Sequence, residues 1–210
     1  IDIESFADED TFFPKRVFEE STYTLSPEYA SFFKKILAYA RETVFAPEEN
    51  YFKKRVRWWS ALALLRSLAS SPTAAASTLR NRAAAADAPD QSAEEADEIG
   101  RKTVLDMMDE DSAESIDIAP GGEIGELAVD PQTHKRRLQR LAREAEALAG
   151  DQDHKLQTAI STIKDLIKEG HNPIIFCRFI PTVHYLVEHL RDNTRGVEVV
   201  GITGSLPPAE

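Results

Sequence analysis

Between Ala83 and Thr133 the chain carries 15 acidic side chains against two basic ones. Few large apolar residues accompany them, and Pro120-Gly121-Gly122 interrupts what little pattern exists. Such a stretch cannot bury enough apolar surface to offset the entropy of ordering it. Residues 87–130 are therefore expected to form an acidic, partly disordered insertion. Any folded core has to come from the residues on either side of it.

The flanks differ in charge. Residues 1–50 hold 11 acids and five bases, whereas residues 51–82 hold seven bases and no acid. The total of −11 argues against a nucleic-acid partner, but local charge governs such a contact, and a wholly basic block with aromatic residues lies between acidic ones. One cysteine, Cys177, permits no internal disulfide, which fits a reducing, cytoplasmic setting. No apolar run reaches the roughly 18 residues that span a bilayer. The first residue is not Met, the chain ends on "SLPPAE", and both ends look cut.

Before the insertion, residues 16–25 alternate loosely and suggest a strand. Ser26-Pro27-Glu28 is a helix start, with a hydroxyl N-cap, a proline at the first helical position and an acid in the first turn. Tyr29, Phe32, Phe33, Ile36, Leu37, Ala40 and Val44 follow at helical spacing. A second helix, "YFKKRVRWWSALALLRSLASSP", carries Trp58, Leu62, Leu65 and Ala69 on one face and Phe52, Val56, Trp59 and Ala63 on the next. Pro72 ends it, and residues 74–86 suit a further helix. After the insertion, Leu138, Leu141, Ala145 and Leu148 form one stripe closed by Gly150. Leu156, Ile160, Ile163 and Ile167 form another, closed by Gly170. "PIIFCRF" is a continuous apolar run of the type that makes a buried parallel strand. Pro181 opens a helix with Val183, Leu186, Val187 and Leu190, and "VEVVGI" is a second strand. Helix–strand–helix–strand is the start of a doubly wound α/β domain.

The segment "HKLQTAISTIKDLIKEGHNPIIFCRFIPTVHYLVEHLRDN…VEVVGITGSLPPAE" resembles the opening of the second RecA-like lobe of superfamily 2 helicases. There a strand ends in motif IV, here "IIFCRF", and a later strand leads to a Thr-Gly loop, here "ITGSLPP". "FFPKRVFEESTYTLSPEYASFF" and "ALALLRSLASSP" are similar to the Snf2-type connecting segment and the Pro-terminated helix of its protrusion. "RVRWWSALALLRSLASSP" looks most like the Snf2-like helicases of DISARM antiviral defence. The resemblance covers residues 11–72 and 151–210. It implies an α/β fold, the start of a RecA-like parallel-sheet lobe, preceded by a mainly helical region with the acidic insertion. Residues 1–86 would be the helical protrusion and connecting strand, residues 87–130 the insertion, and residues 131–210 the N-terminal part of the lobe. The parent would be an ATP-dependent DNA translocase using ATP and Mg²⁺, partnered by DNA and by the first RecA-like lobe of the same chain. No phosphate-binding G-x-x-x-x-G-K-[ST] is present. This chain alone is expected to bind no cofactor and to hydrolyse nothing.

Among single residues, the resemblance makes Arg178, Phe179, Thr203, Gly204 and Ser205 candidates for the DNA backbone. Lys53, Lys54, Arg55 and Arg57 are a further basic cluster that suits DNA or simply a solvated helix end. Lys155 follows Asp153-His154 where Snf2 relatives place a nucleotide-proximal lysine; a solvated charge is the alternative. Cys177, inside an apolar strand, reads as an inert thiol. Trp58 and Trp59 read as core. No catalytic residue stands out, and the five histidines show no metal-binding spacing. A different reading stays open: a non-catalytic helical protein-interaction module whose acidic run mimics DNA or restrains its neighbour. A Rossmann-type enzyme is disfavoured, because no glycine fingerprint follows Phe179.

Overall fold

The computed structural model describes residues 17–47, 50–85, 97 and 131–203. Six α-helices are seen among them: α1 (Pro27–Phe45), α2 (Tyr51–Ser70), α3 (Pro72–Ala85), α4 (Pro131–Glu146), α5 (His154–Lys168) and α6 (Ile180–Asn193). A short 3₁₀ turn, Gly150–Gln152, joins α4 to α5.

The helices start where local chemistry directs. Ser26 Oγ accepts from Tyr29 N at 3.2 Å, Asn50 Oδ1 from Lys53 N at 3.1 Å, and Asp153 Oδ1 from Leu156 N at 3.2 Å. Pro72 both stops α2 and begins α3, with Ser71 Oγ accepting from Ala74 N at 3.1 Å.

Helices α1–α4 close around one core. Ile36, Leu64, Leu68 and Leu79 lie at its centre with no more than trace exposure, joined by Phe32, Leu138 and Leu141. Helix α3 contributes Ala75, Ala76 and Ala83, small side chains that let α4 approach closely. Full burial of each Leu or Ile contributes about 1.5–3 kcal/mol. The buried Tyr29 hydroxyl donates to Leu68 O at 2.7 Å, so no polar atom is orphaned there. Surface pairs such as Lys35–Glu144 at 2.8 Å and Arg137–Glu42 at 2.7 Å add little.

The expected stripe of α4 is buried throughout; that of α1 is buried at Tyr29, Phe32, Ile36 and Ala40 and partly at Phe33, Leu37 and Val44, with Tyr39 also inside, and that of α5 is buried except for the partly exposed Ile167. That of α2 is not. Its buried face is Val56, Ser60, Ala61, Leu64, Ser67 and Leu68, while Trp58 is 51% exposed, with its ring edge-on to Phe45. Ser67 Oγ donates to Leu64 O at 2.9 Å, satisfying its hydroxyl within the helix, whereas the buried Ser60 Oγ has no partner among the described residues.

A second, smaller cluster gathers Leu156, Ile160 and Ile163 of α5 with Tyr185 and Leu190 of α6 and the partly buried Val199. Here the α/β expectation is overturned. Among the described residues there is no β-strand and no sheet, and the fold is helical. Of residues 16–25, read as a strand, the described 17–25 have no regular structure. Among the described residues, 171–177 and 197–203 likewise join no strand ladder, and no parallel-sheet lobe is formed. A parallel strand is stable when ladder partners and covering layers exist on both faces. These segments have no ladder partner among the described residues, and several of their apolar side chains are bare. Phe176 is 92% exposed, Ile174 80% and Ile202 81%. The second segment is pinned by other means: Arg191 donates through Nε and a terminal nitrogen to Val199 O at 3.1 and 2.9 Å. Gly201 packs so tightly on α6 that a β-carbon there would fall 2.9 Å from Val187.

No helix among the described residues is long and apolar enough to cross a membrane. The insertion expected over 87–130 lies outside the described residues, apart from Asp97.

Candidate functional site

Where residues 175–179 run into α6, they meet the C-terminal end of α2 and the first turns of α5. Between them lies a cleft of about 450 Å³. Its walls carry three cations, Arg66, Lys155 and Arg178, and apolar surface from Ile175, Phe176, Leu156 and Leu186.

The corner is fixed by hydroxyls. The buried Thr182 Oγ1 lies 2.8 Å from both Ser70 Oγ and Ser71 Oγ. Each hydroxyl has one proton and two lone pairs, so three can satisfy one another. Because Ser71 also caps α3, this seam ties α6 to the corner between α2 and α3. Lys155 Nζ donates to Ala69 O at 2.8 Å and Ser70 O at 3.1 Å, placing its charge on the negative end of the α2 dipole. Ser26 Oγ donates to Gln152 O at 2.8 Å, and His154 Nδ1 lies 2.7 Å from Thr24 O, which fixes the start of α5.

An acid also lines the cleft. Asp153 is buried; its Oδ1 caps α5, and its Oδ2 accepts from Tyr185 Oη at 3.2 Å. Burial raises its pKa, against the lowering effect of those hydrogen bonds and of Lys155. Burial also pushes the Tyr185 hydroxyl upward, so it stays protonated and donates. Asp153 is thus engaged internally, while Arg178 is solvent-exposed beside Phe179 and Arg66 is half-buried. Helix α6 has no side-chain cap at its N-terminus, where the positive end of its dipole meets the Arg178 turn.

Burial pushes the Cys177 thiol up, which outweighs the opposing effect of Lys155. A thiol with a raised pKa is a poor nucleophile. Among the described residues, no group of three or more His, Cys, Asp or Glu side chains could hold a metal ion.

The sequence candidates are distributed as follows. Arg178, Phe179 and Lys155 share the cleft. Thr203 lies in the second extended segment and is not part of the described lining, while Gly204 and Ser205 lie outside the described residues. Lys53, Lys54, Arg55 and Arg57 stand at the other end of α2. Arg57 donates to Ala46 O at 2.9 Å, closing α1, and Arg55 pairs through Nε with Asp97 Oδ1 at 3.2 Å. Trp59 is half-buried and donates from Nε1 to the same oxygen at 2.9 Å.

Sequence reading missed Arg66, Thr182 and the Asp153–Tyr185 pair. Asp153 had a readable signal: an acid directly before a helical stripe is an N-cap. Arg66 had none, since one cation on a leucine-rich helix acquires meaning only from its partners. Comparison with protein-family models, with curated proteins and with solved structures returned no match.

Proposed function

We propose that this chain contributes a nucleic-acid-backbone grip to a cytoplasmic, ATP-driven DNA translocase of the Snf2 type. The observation that carries this proposal is the convergence of Arg66 and Arg178 on one cleft beside an uncapped helix N-terminus. Guanidinium groups hold phosphate through paired hydrogen bonds, and a helix N-terminus adds donors and positive potential. The order of the sequence segments supports the wider assignment. ATP, Mg²⁺ and the partner lobe would belong to the parent machine, with this chain supplying contact to DNA.

The grip works without chemistry of its own. The Ser70–Ser71–Thr182 seam holds α6 against α2, which sets the spacing of Arg178 and Arg66. Lys155, bound to the α2 carbonyls, keeps that end of the cleft positive.

The test is binding of a fluorescent duplex oligonucleotide by the 210-residue chain, followed by anisotropy. Arg178→Ala and Arg66→Ala should each weaken binding by about tenfold, the loss of one charge-assisted contact of roughly 1.5 kcal/mol. Cys177→Ser should bind like the parent. Unchanged affinity in both arginine variants would make the cleft a structural corner and favour the interaction-module alternative.

A further inference from the structure

Helix α2 links the cleft to a second site. Arg55, Trp59, Leu62 and Arg66 are spaced by four, three and four residues, so they form one stripe; Arg55 and Arg66 are three turns and about 16 Å apart along the axis. At the Arg55 end an oxyanion is already seated. Asp97, only 7% exposed, receives the Trp59 indole N–H at 2.9 Å and the Arg55 Nε at 3.2 Å. The Arg55 guanidinium also lies 5.6 Å from the Tyr51 ring and 6.0 Å from that of Trp59. The first turn of α2 contains no acid and carries Lys53 and Lys54, so both its dipole and its side chains favour an anion.

We propose that Arg55 and Trp59 form a phosphate-binding site, and that Asp97 occupies it as an internal substitute for nucleic acid. A phosphate oxygen can accept from the same guanidinium and indole donors that the carboxylate uses. Asp97 belongs to the stretch 83–133, which has 15 acids and two bases, so the seated carboxylate has many acidic neighbours in the sequence. Nucleic acid reaching along α2 from the Arg66–Arg178 cleft displaces Asp97 from Arg55. The inference rests on the nucleic-acid reading above and adds to it a second contact and a built-in competitor.

The experiment is the same duplex titration on the full chain, with Asp97→Ala and with a second variant that neutralises the acids between 106 and 117 to their amides. Both should tighten binding, Asp97→Ala by about tenfold, and adding Arg55→Ala to Asp97→Ala should abolish that gain. If Asp97→Ala loses helical circular dichroism, the neutralised variant decides by the same criterion. Unchanged or weaker binding in the folded variants overturns the competitor, and Arg178→Ala separates the two ideas. If Arg178→Ala weakens binding while the acid variants have no effect, the cleft stands and the competitor falls. If the acid variants tighten binding while Arg178→Ala has no effect, the competitor stands without the cleft. No duplex binding by any variant removes both.

Discussion

Helices α1–α4 close around one core and α5 and α6 share a smaller one, whereas the two extended segments leave much of their apolar surface bare. Ile36, Leu64 and Leu68 are fully buried; Phe176, Ile174 and Ile202 stand almost wholly in solvent. The difference comes from where each backbone finds its hydrogen bonds. A helix satisfies its own N–H and C=O groups, so a matching apolar face is all it needs from its neighbours. An extended segment finds its partners in another chain segment, and residues 171–177 have none among the described residues that forms a ladder. The bundle is therefore held by packing, and the C-terminal unit by side-chain pins such as Arg191 on Val199 O and Thr182 on Ser70 and Ser71.

The contrast is sharpest at the core. Leu64→Ala should cost about 2–5 kcal/mol, because the transfer energy is lost and a cavity remains. Phe176→Ala should change stability by no more than about 0.5 kcal/mol. Urea midpoints of the two variants measure the difference, and equal losses would mean that Phe176 is buried in solution. The bare segment should instead govern association, since unpaired apolar edges self-associate. Ile174→Lys with Phe176→Lys should reduce the concentration dependence of the sedimentation coefficient while leaving the urea midpoint in place.

The seam joining the two regions comes next. Thr182→Val removes the shared partner of two hydroxyls, and an unsatisfied buried hydroxyl costs about 1–3 kcal/mol. A loss of that size, with α5 and α6 exchanging amide hydrogens faster and α1–α4 unchanged, would show that the corner is held by polar contacts. Uniform loosening of all six helices would break the division between the regions.

Asp153 provides a pH signature. Burial raises its pKa above 3.8, so the folded state holds the proton more tightly than the unfolded chain does. Its contribution to stability is fully present below pH 3.8 and is lost as pH rises through the folded-state value. Asp153→Asn keeps an acceptor for Leu156 N and should remove that decline, leaving the variant the more stable protein at pH 7. Thermal unfolding of both proteins from pH 3.5 to pH 7 checks the sign.

The same contrast explains what was legible in the sequence. The stripes on α1, α4 and α5 were readable because leucine, isoleucine and phenylalanine mark a helical face directly. The face of α2 was hidden, since Ser60 and Ser67 sit inside it and the conspicuous Trp58 sits outside. "IIFCRF" revealed its apolar character but not its pairing, because a ladder depends on a neighbour. Within the candidate site, Arg178 was visible from its position at the end of an apolar run. Arg66 and Thr182 became meaningful only when the fold brought α2 against α6.

The grip on nucleic acid is tested most directly by salt. Each phosphate that a cation neutralises releases counterions, so the slope of log affinity against log salt counts the contacts. For a duplex oligonucleotide, Arg178→Ala should make that slope shallower by about one unit relative to the parent chain. An unchanged slope, with the fold intact by circular dichroism, would contradict a phosphate contact at Arg178.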